Sequence, residues 1–210
     1  MKKEDYNKTP RQNFHELSLK AKLRYLFDYY KFHFIVICII IYIPAYFIYG
    51  HFTHKDAVLY VGLANINIGE DTSAKLTSEY LLHENIDTKK NEIYLYNGLY
   101  ISNNPSAESQ SYSFASSTKL LAAIDSEQMD VVLMNDEALK IFSDNNYLAE
   151  LNTLVLEKYM QDNSSKYAIP LSSSNMLKAA GIEQNTYIGI LANSPRKQEA
   201  LNYIDYILTN

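Results

Sequence analysis

Asp130-Val-Val-Leu-Met-Asn-Asp136 decides the fold of this chain. Val131 to Met134 are all apolar, with no polar residue alternating between them. A run this short, with no polar side, fits a strand covered on both faces, as in parallel sheets packed between helices. Asn135 or Asp136 then offers a helix cap, and Leu139 and Phe142 follow as the buried side of that helix.

The flanking sequence repeats this alternation. On the N-terminal side, Ala57-Val-Leu-Tyr-Val-Gly-Leu63 reads as another buried strand. Gly69 breaks the chain, and Asp71 caps a helix running to about His83, with Leu76, Tyr80 and Leu81 on one side. Glu92-Ile-Tyr-Leu-Tyr96 reads as a strand closed by the turn pair Asn97-Gly98. A polar loop from Ser102 to Gln110 leads to a helix from Ser113 to Asp125, with Leu120, Leu121 and Ile124 as its core side. On the C-terminal side, Tyr167-Ala-Ile-Pro-Leu171 and Tyr187-Ile-Gly-Ile-Leu191 read as two more strands. Ser194-Pro195 starts a last helix that places Ala200, Leu201, Ile204, Ile207 and Leu208 on one face. Strands alternating with helices predict an α/β sandwich whose mostly parallel sheet has about five strands.

Upstream of this domain lies an 18-residue apolar run, Phe32 to Tyr49, interrupted only by His33 and Pro44. As a helix it reaches about 27 Å, close to the hydrocarbon thickness of a bilayer. Before it stand eight basic and four acidic residues, and after it 11 basic and 20 acidic, so a net +4 faces a net −9. Positive charge is retained on the cytoplasmic side, which predicts an inside N-terminus and an outside C-terminal domain in the cell membrane. The run ends Ala-Tyr-Phe-Ile-Tyr-Gly-His51, without the small-residue site of a cleaved signal peptide. Cys38, the only cysteine, follows Ile37 within the run and is poorly placed for lipidation. An uncleaved signal anchor is therefore expected, with Tyr42, Tyr46 and Tyr49 near its outer end. The domains expected are a cytoplasmic tail over 1–31, a transmembrane helix over 32–52 and an extracytoplasmic lobe over 55–210. Residues 1–14 are polar and lack apolar periodicity, as in a disordered tail. Leu19, Leu23, Leu26, Phe27 and Tyr30 fall at helical spacing among basic residues. That segment either lies on anionic headgroups or continues the transmembrane helix inward.

Motifs for chemistry are sparse. Ser116-Ser-Thr-Lys119 has the spacing that sets a lysine one turn after a serine nucleophile, and Ser143-Asp-Asn145 follows. The K-T-G strand that acyl-enzymes of this type also need is absent. His51 and His54 are two turn-spaced imidazoles with no third protein ligand nearby in sequence. No cofactor or metal is expected, and the acidic outer domain argues against nucleic acid.

In a doubly wound sheet, ligands bind beyond the carboxyl ends of the strands. Those ends carry Asn65 and Asn67, then Asn97 with Tyr100 just beyond, then Asn135 and Asp136. Convergent amides can hold a neutral polar ligand, yet Asn and Asp also serve as caps and turns at such junctions. Tyr94, Tyr96, Tyr100 and Tyr112 flank the second strand and its loop, where rings either fill the sheet surface or offer flat contacts to a sugar or peptide.

Asp130 to Asp136, then Phe142, then Leu148-Ala-Glu-Leu-Asn152 resembles a stretch of bacterial extracellular solute-binding proteins. Tyr167-Ala-Ile-Pro-Leu171 resembles their crossover strand. Tyr187-Ile-Gly-Ile190 with Asn193-Ser-Pro195 and Glu199 to Ile204 resembles their return strand and next helix. The resemblance covers most of 56–210 and implies a periplasmic-binding-protein-like three-layer α/β/α lobe. It also implies a deletion, because little chain separates Pro170 from Tyr187, where the second lobe belongs. With its membrane entry Tyr29-Tyr-Lys-Phe-His33, the whole chain is similar to small single-pass proteins of Gram-positive bacteria.

The expected function is a non-enzymatic, membrane-anchored recognition or accessory domain, associated with a membrane protein such as a transporter. The alternative is a weak solute-binding or sensing module for a small polar ligand, its cleft completed by a partner or a dimer.

Overall fold

A computed structural model of the chain describes residues 19–151, 166–182 and 185–209. The expected disordered tail and Asn152 lie outside them, as do the side chains of Leu23, Leu26 and Phe27. The chain divides into two compact units, Met1–His54 and Lys55–Asn210.

In the first unit, α1 (Leu19–Thr53) is helical throughout, with Pro44 in its interior. The basic segment from Leu19 thus continues as the same helix. Within it, Tyr30–Gly50 is long and apolar enough to cross a membrane. Its side chains from Phe32 to Tyr49 are exposed, which is consistent with a membrane anchor.

The second unit is mixed α/β. Its strands are β1 (Asp56–Ala64), β2 (Asn91–Leu99), β3 (Val131–Asn135), β4 (Ile169–Pro170) and β5 (Thr186–Ile190), in the order β2-β1-β3-β5-β4. Strands β2, β1 and β3 are parallel neighbours, with Val61 level with Val131 and Ala64 with Met134. The return strand β5 runs antiparallel between β3 and β4. β4 is shorter than the run Tyr167–Leu171 suggests. Pro170 has no N–H to donate, and proline is tolerated in sheets only at such an edge.

Between the strands run α2 (Glu70–Ala74), a π-helical turn (Lys75–Glu79) and α3 (Tyr80–His83), then α4 (Gln110–Asp125) and α5 (Asp136–Asp144). After β4 come a 3-10 turn (Leu171–Ser173) and α6 (Asn175–Ala179), and after β5 comes α7 (Lys197–Thr209). Alternate strand residues face opposite ways, and two cores result. Leu59, Val61, Leu63, Val131, Leu133, Ile188 and Ile190 pack with Leu76, Tyr80, Leu177, Tyr203, Ile204 and Ile207. On the other face Val132 and Met134 pack with Leu120, Ile124, Ala138 and Phe142. Helices therefore cover both faces of the sheet, as the apolar run Val131–Met134 requires.

Four local expectations are corrected. Gly69, not Asp71, is the N-cap of α2, and Asp71 sits in the first turn, where its charge suits the helix dipole. Asn97-Gly98 does not close β2; the strand continues to Leu99 through a bulge. Leu121 is 43% exposed, because the buried stripe of α4 runs through Ser113, Ser116, Leu120 and Ala123–Ile124. Ser194-Pro195 precedes α7 rather than starting it, with the Ser194 hydroxyl donating to Asp130 and accepting from the Arg196 N–H.

Candidate functional site

The carboxyl ends of β1, β2 and β3 meet around an open pocket of about 390 Å³. Asn65, Asn67, Gly98, Tyr100, Tyr112, Asn135 and Glu137 line it, with Ile66 and Leu99 behind. Four of the six residues singled out at the strand ends are thus brought together. Asn97 and Asp136 are exposed and lie outside the lining.

Asn65 builds the floor. It adopts a left-handed backbone conformation with φ 59°, which asparagine tolerates better than most residues. Its Oδ1 accepts from the Ile101 N–H at 2.8 Å. Its Nδ2 donates to the Ile101 carbonyl at 2.8 Å and to Asn135 Oδ1 at 3.3 Å. Both amide hydrogens are thereby spent, one tying the end of β1 to the chain leaving β2 and the other to the end of β3. Asn135 Oδ1 also accepts from the Ala138 N–H at 3.0 Å, capping α5. Asn65 and the oxygen of Asn135 thus shape the pocket rather than offer themselves to a ligand.

The wall from β2 depends on Gly98. Gly62 pairs with Tyr96 and Ala64 with Leu99, so β2 carries one more residue than β1 over this stretch. Gly98 absorbs the bulge at φ +68°, and a Cβ there would lie 3.0 Å from the Tyr112 hydroxyl. That hydroxyl donates to the Gly98 carbonyl. Tyr100 lies beside it, the two rings 6.3 Å apart and 21° from parallel. Tyr100 is held in turn, its N–H donating to Ser116 Oγ at 3.1 Å. On the α5 side, Glu137 accepts from the Ser102 hydroxyl at 2.6 Å.

Ser116 is buried beneath this wall, its oxygen occupied by the Tyr100 N–H. Lys119 Nζ sits over the Tyr96 ring, 5.3 Å from its centroid. The serine–lysine spacing is therefore used in packing β2 against α4. Asp136 serves β5, where its carboxylate bonds the Tyr187 hydroxyl and, together with burial, raises that phenol's pKa. Among the described residues, no group of three or more His, Cys, Asp or Glu is arranged to hold a metal.

Sequence reading passed over Glu137, which lies one residue beyond the acidic cap. It also passed over a polar centre at the opposite end of the sheet. Asp130, fully buried, accepts from Ser194 Oγ at 2.6 Å, from Arg196 Nε at 2.8 Å and from the Tyr60 N–H at 2.9 Å. The Arg196 guanidinium also lies 4.8 Å from the Tyr60 ring centroid and donates to the Glu127 carbonyl. Only the charge of Asp130 at the head of an apolar run hinted at it.

No protein-family model, curated protein or solved structure matches this chain.

Proposed function

We propose that the chain is a membrane-anchored, non-enzymatic recognition domain whose pocket at the strand ends engages a group presented by a membrane protein. In this reading α1 is an uncleaved signal anchor in the cell membrane of a Gram-positive bacterium, with its N-terminus inside. The second unit stands outside as a single solute-binding-like lobe with no counterpart to close on it. The charge asymmetry about Phe32–Tyr49 supports the orientation. The antiparallel seat of β5 beside β4 supports the single lobe, because the chain leaves on one strand and returns on its neighbour with a 3-10 turn and α6 between them.

The observation that carries the reading is the pocket itself. It gathers residues from three strand ends at the place where open α/β sheets bind ligands, and it is open to one side. One wall cannot bury most of a small ligand, so a group projecting from a partner suits it better than a free solute.

Its size still falls among small-molecule sites, which favours a second reading as a solute or sensing module completed by a partner or a dimer. Thermal melts of the full chain in neutral detergent with sugars, amino acids, peptides and metal ions separate the two. A ligand at a hundredfold excess over its dissociation constant stabilises the fold by about 2.7 kcal/mol. Melts that stay put support partner recognition. A shift of that size with a free solute overturns it in favour of the solute module.

A further inference from the structure

Resting on the pocket being a recognition site, we infer that the group it takes is an alkylammonium. The lining decides among charges. It holds two tyrosine rings and one carboxylate, Glu137, and none of its residues is lysine, arginine or histidine. Asp136 precedes Glu137 in α5 but lies outside the lining, bonded to Tyr187. The N-terminus of α5 would ordinarily welcome an anion, but Asn135 Oδ1 caps it and Asp136 and Glu137 put negative charge in its first turn. An incoming carboxylate or phosphate meets repulsion there.

A neutral polar ligand fares little better. The pocket's amides suggest hydrogen bonding, yet Asn65 is spent on Ile101 and Asn135, and Asn135 Oδ1 is spent on the cap. Of the three lining amides, Asn67 and the Nδ2 of Asn135 remain. Beyond these donors, the pocket presents aromatic faces and negative charge. The Tyr112 ring is held by its hydroxyl bond to Gly98, and the Tyr100 ring lies alongside it, with the Tyr100 backbone bonded to Ser116. Tyrosine faces attract a cation through the ring quadrupole, and a nearby carboxylate adds Coulombic attraction. An alkylated ammonium suits such a site better than a metal ion, because its methyl or methylene groups contact the rings.

The group has two sources, a free quaternary ammonium compound or a lysine side chain on a protein. Amide NMR spectra of the isotope-labelled full chain in neutral detergent test both. The probes are tetramethylammonium, choline and a blocked lysine amide, each against potassium chloride at equal ionic strength. Saturable shifts at Gly98, Tyr100 and Glu137 are expected. Glu137→Gln should weaken binding about tenfold with only a small fall in melting temperature from the lost first-turn charge, and Tyr112→Leu should weaken it as well. Shifts with the lysine amide support a protein side chain as the source, and shifts with the quaternary ions alone support a free cation. If none of the cations moves these amides beyond the potassium control, the inference is overturned. Shifts with a sugar or an amide in that case would leave the recognition site standing and remove only its charge preference.

Discussion

Tyr203, on the last helix, donates its hydroxyl to the backbone carbonyl of Leu76 at 2.8 Å, joining positions 127 residues apart. Leu76 lies in the π-helical turn, where the helix widens and its carbonyls tilt from the regular ladder. Tyr206 treats the neighbouring Lys75 carbonyl in the same way, at 3.2 Å. The irregular turn is thus stabilised from outside, by two phenols of α7. Tyr203→Phe keeps the ring and strands a buried carbonyl. We expect it to cost about 1–3 kcal/mol in urea unfolding. Tyr206→Phe, at a longer bond nearer the surface, should cost less.

The same cluster makes the fold sensitive to alkali. Tyr80 packs edge-on against Tyr203 and Tyr206. Burial, with Glu84 and Glu199 nearby, pushes its pKa up to about 12. Burial holds Tyr203 well above the usual phenol range. A phenol whose pKa is higher folded than unfolded contributes its full stability below the unfolded value. That contribution is lost as pH rises through the folded value. Melting temperatures should therefore hold up to about pH 10 and fall towards pH 12. Tyr80→Phe should flatten the fall. A profile unchanged by this substitution would place the alkaline weakness elsewhere.

At the far end of the sheet, Arg196→Ala would leave the Asp130 carboxylate buried with only Ser194 and a backbone N–H as partners. Removing one member of a buried pair costs about 3–5 kcal/mol, and the partly exposed arginine sets the lower end as the expectation. Ser194→Ala should cost about 1 kcal/mol. Denaturant midpoints give both values, and a double substitution of Asp130 and Arg196 should recover part of the loss.

At the candidate site, the amides divide into structural and exposed ones. Asn65→Ala loses three hydrogen bonds and a tolerated left-handed conformation, and should cost about 2–4 kcal/mol. Asn135→Ala removes a helix cap and should cost about 1 kcal/mol. Asn67 is exposed, and Asn67→Ala should leave the melting temperature unchanged. Equal stability losses at all three would refute this division.

The sequence disclosed the parts of the fold governed by local chemistry. Val131–Met134 reads as a strand covered twice, and Phe32–Tyr49 stands out by length and hydropathy. Asn97-Gly98 misled because a positive φ serves a bulge as well as a turn, and only the register of β1 against β2 distinguishes them. Leu121 misled because two adjacent leucines leave the helix face ambiguous until the sheet selects one. The Asp130–Arg196 pair joins residues 66 positions apart, and no local pattern announces it. The strand-end rule located the pocket, but it could not tell that Asn65 would spend its whole side chain, and Asn135 its oxygen, within the fold while Tyr112 and Glu137 completed the lining.

The central claim is that the pocket at the strand ends meets a membrane partner. A photo-crosslinking amino acid at position 67, in the full chain within its native membrane, tests it most directly. The same probe at Thr118, exposed on α4, serves as the control. The account predicts a discrete adduct with a membrane protein from position 67 and none from position 118. An equal yield from both positions, or no adduct from position 67, would contradict it.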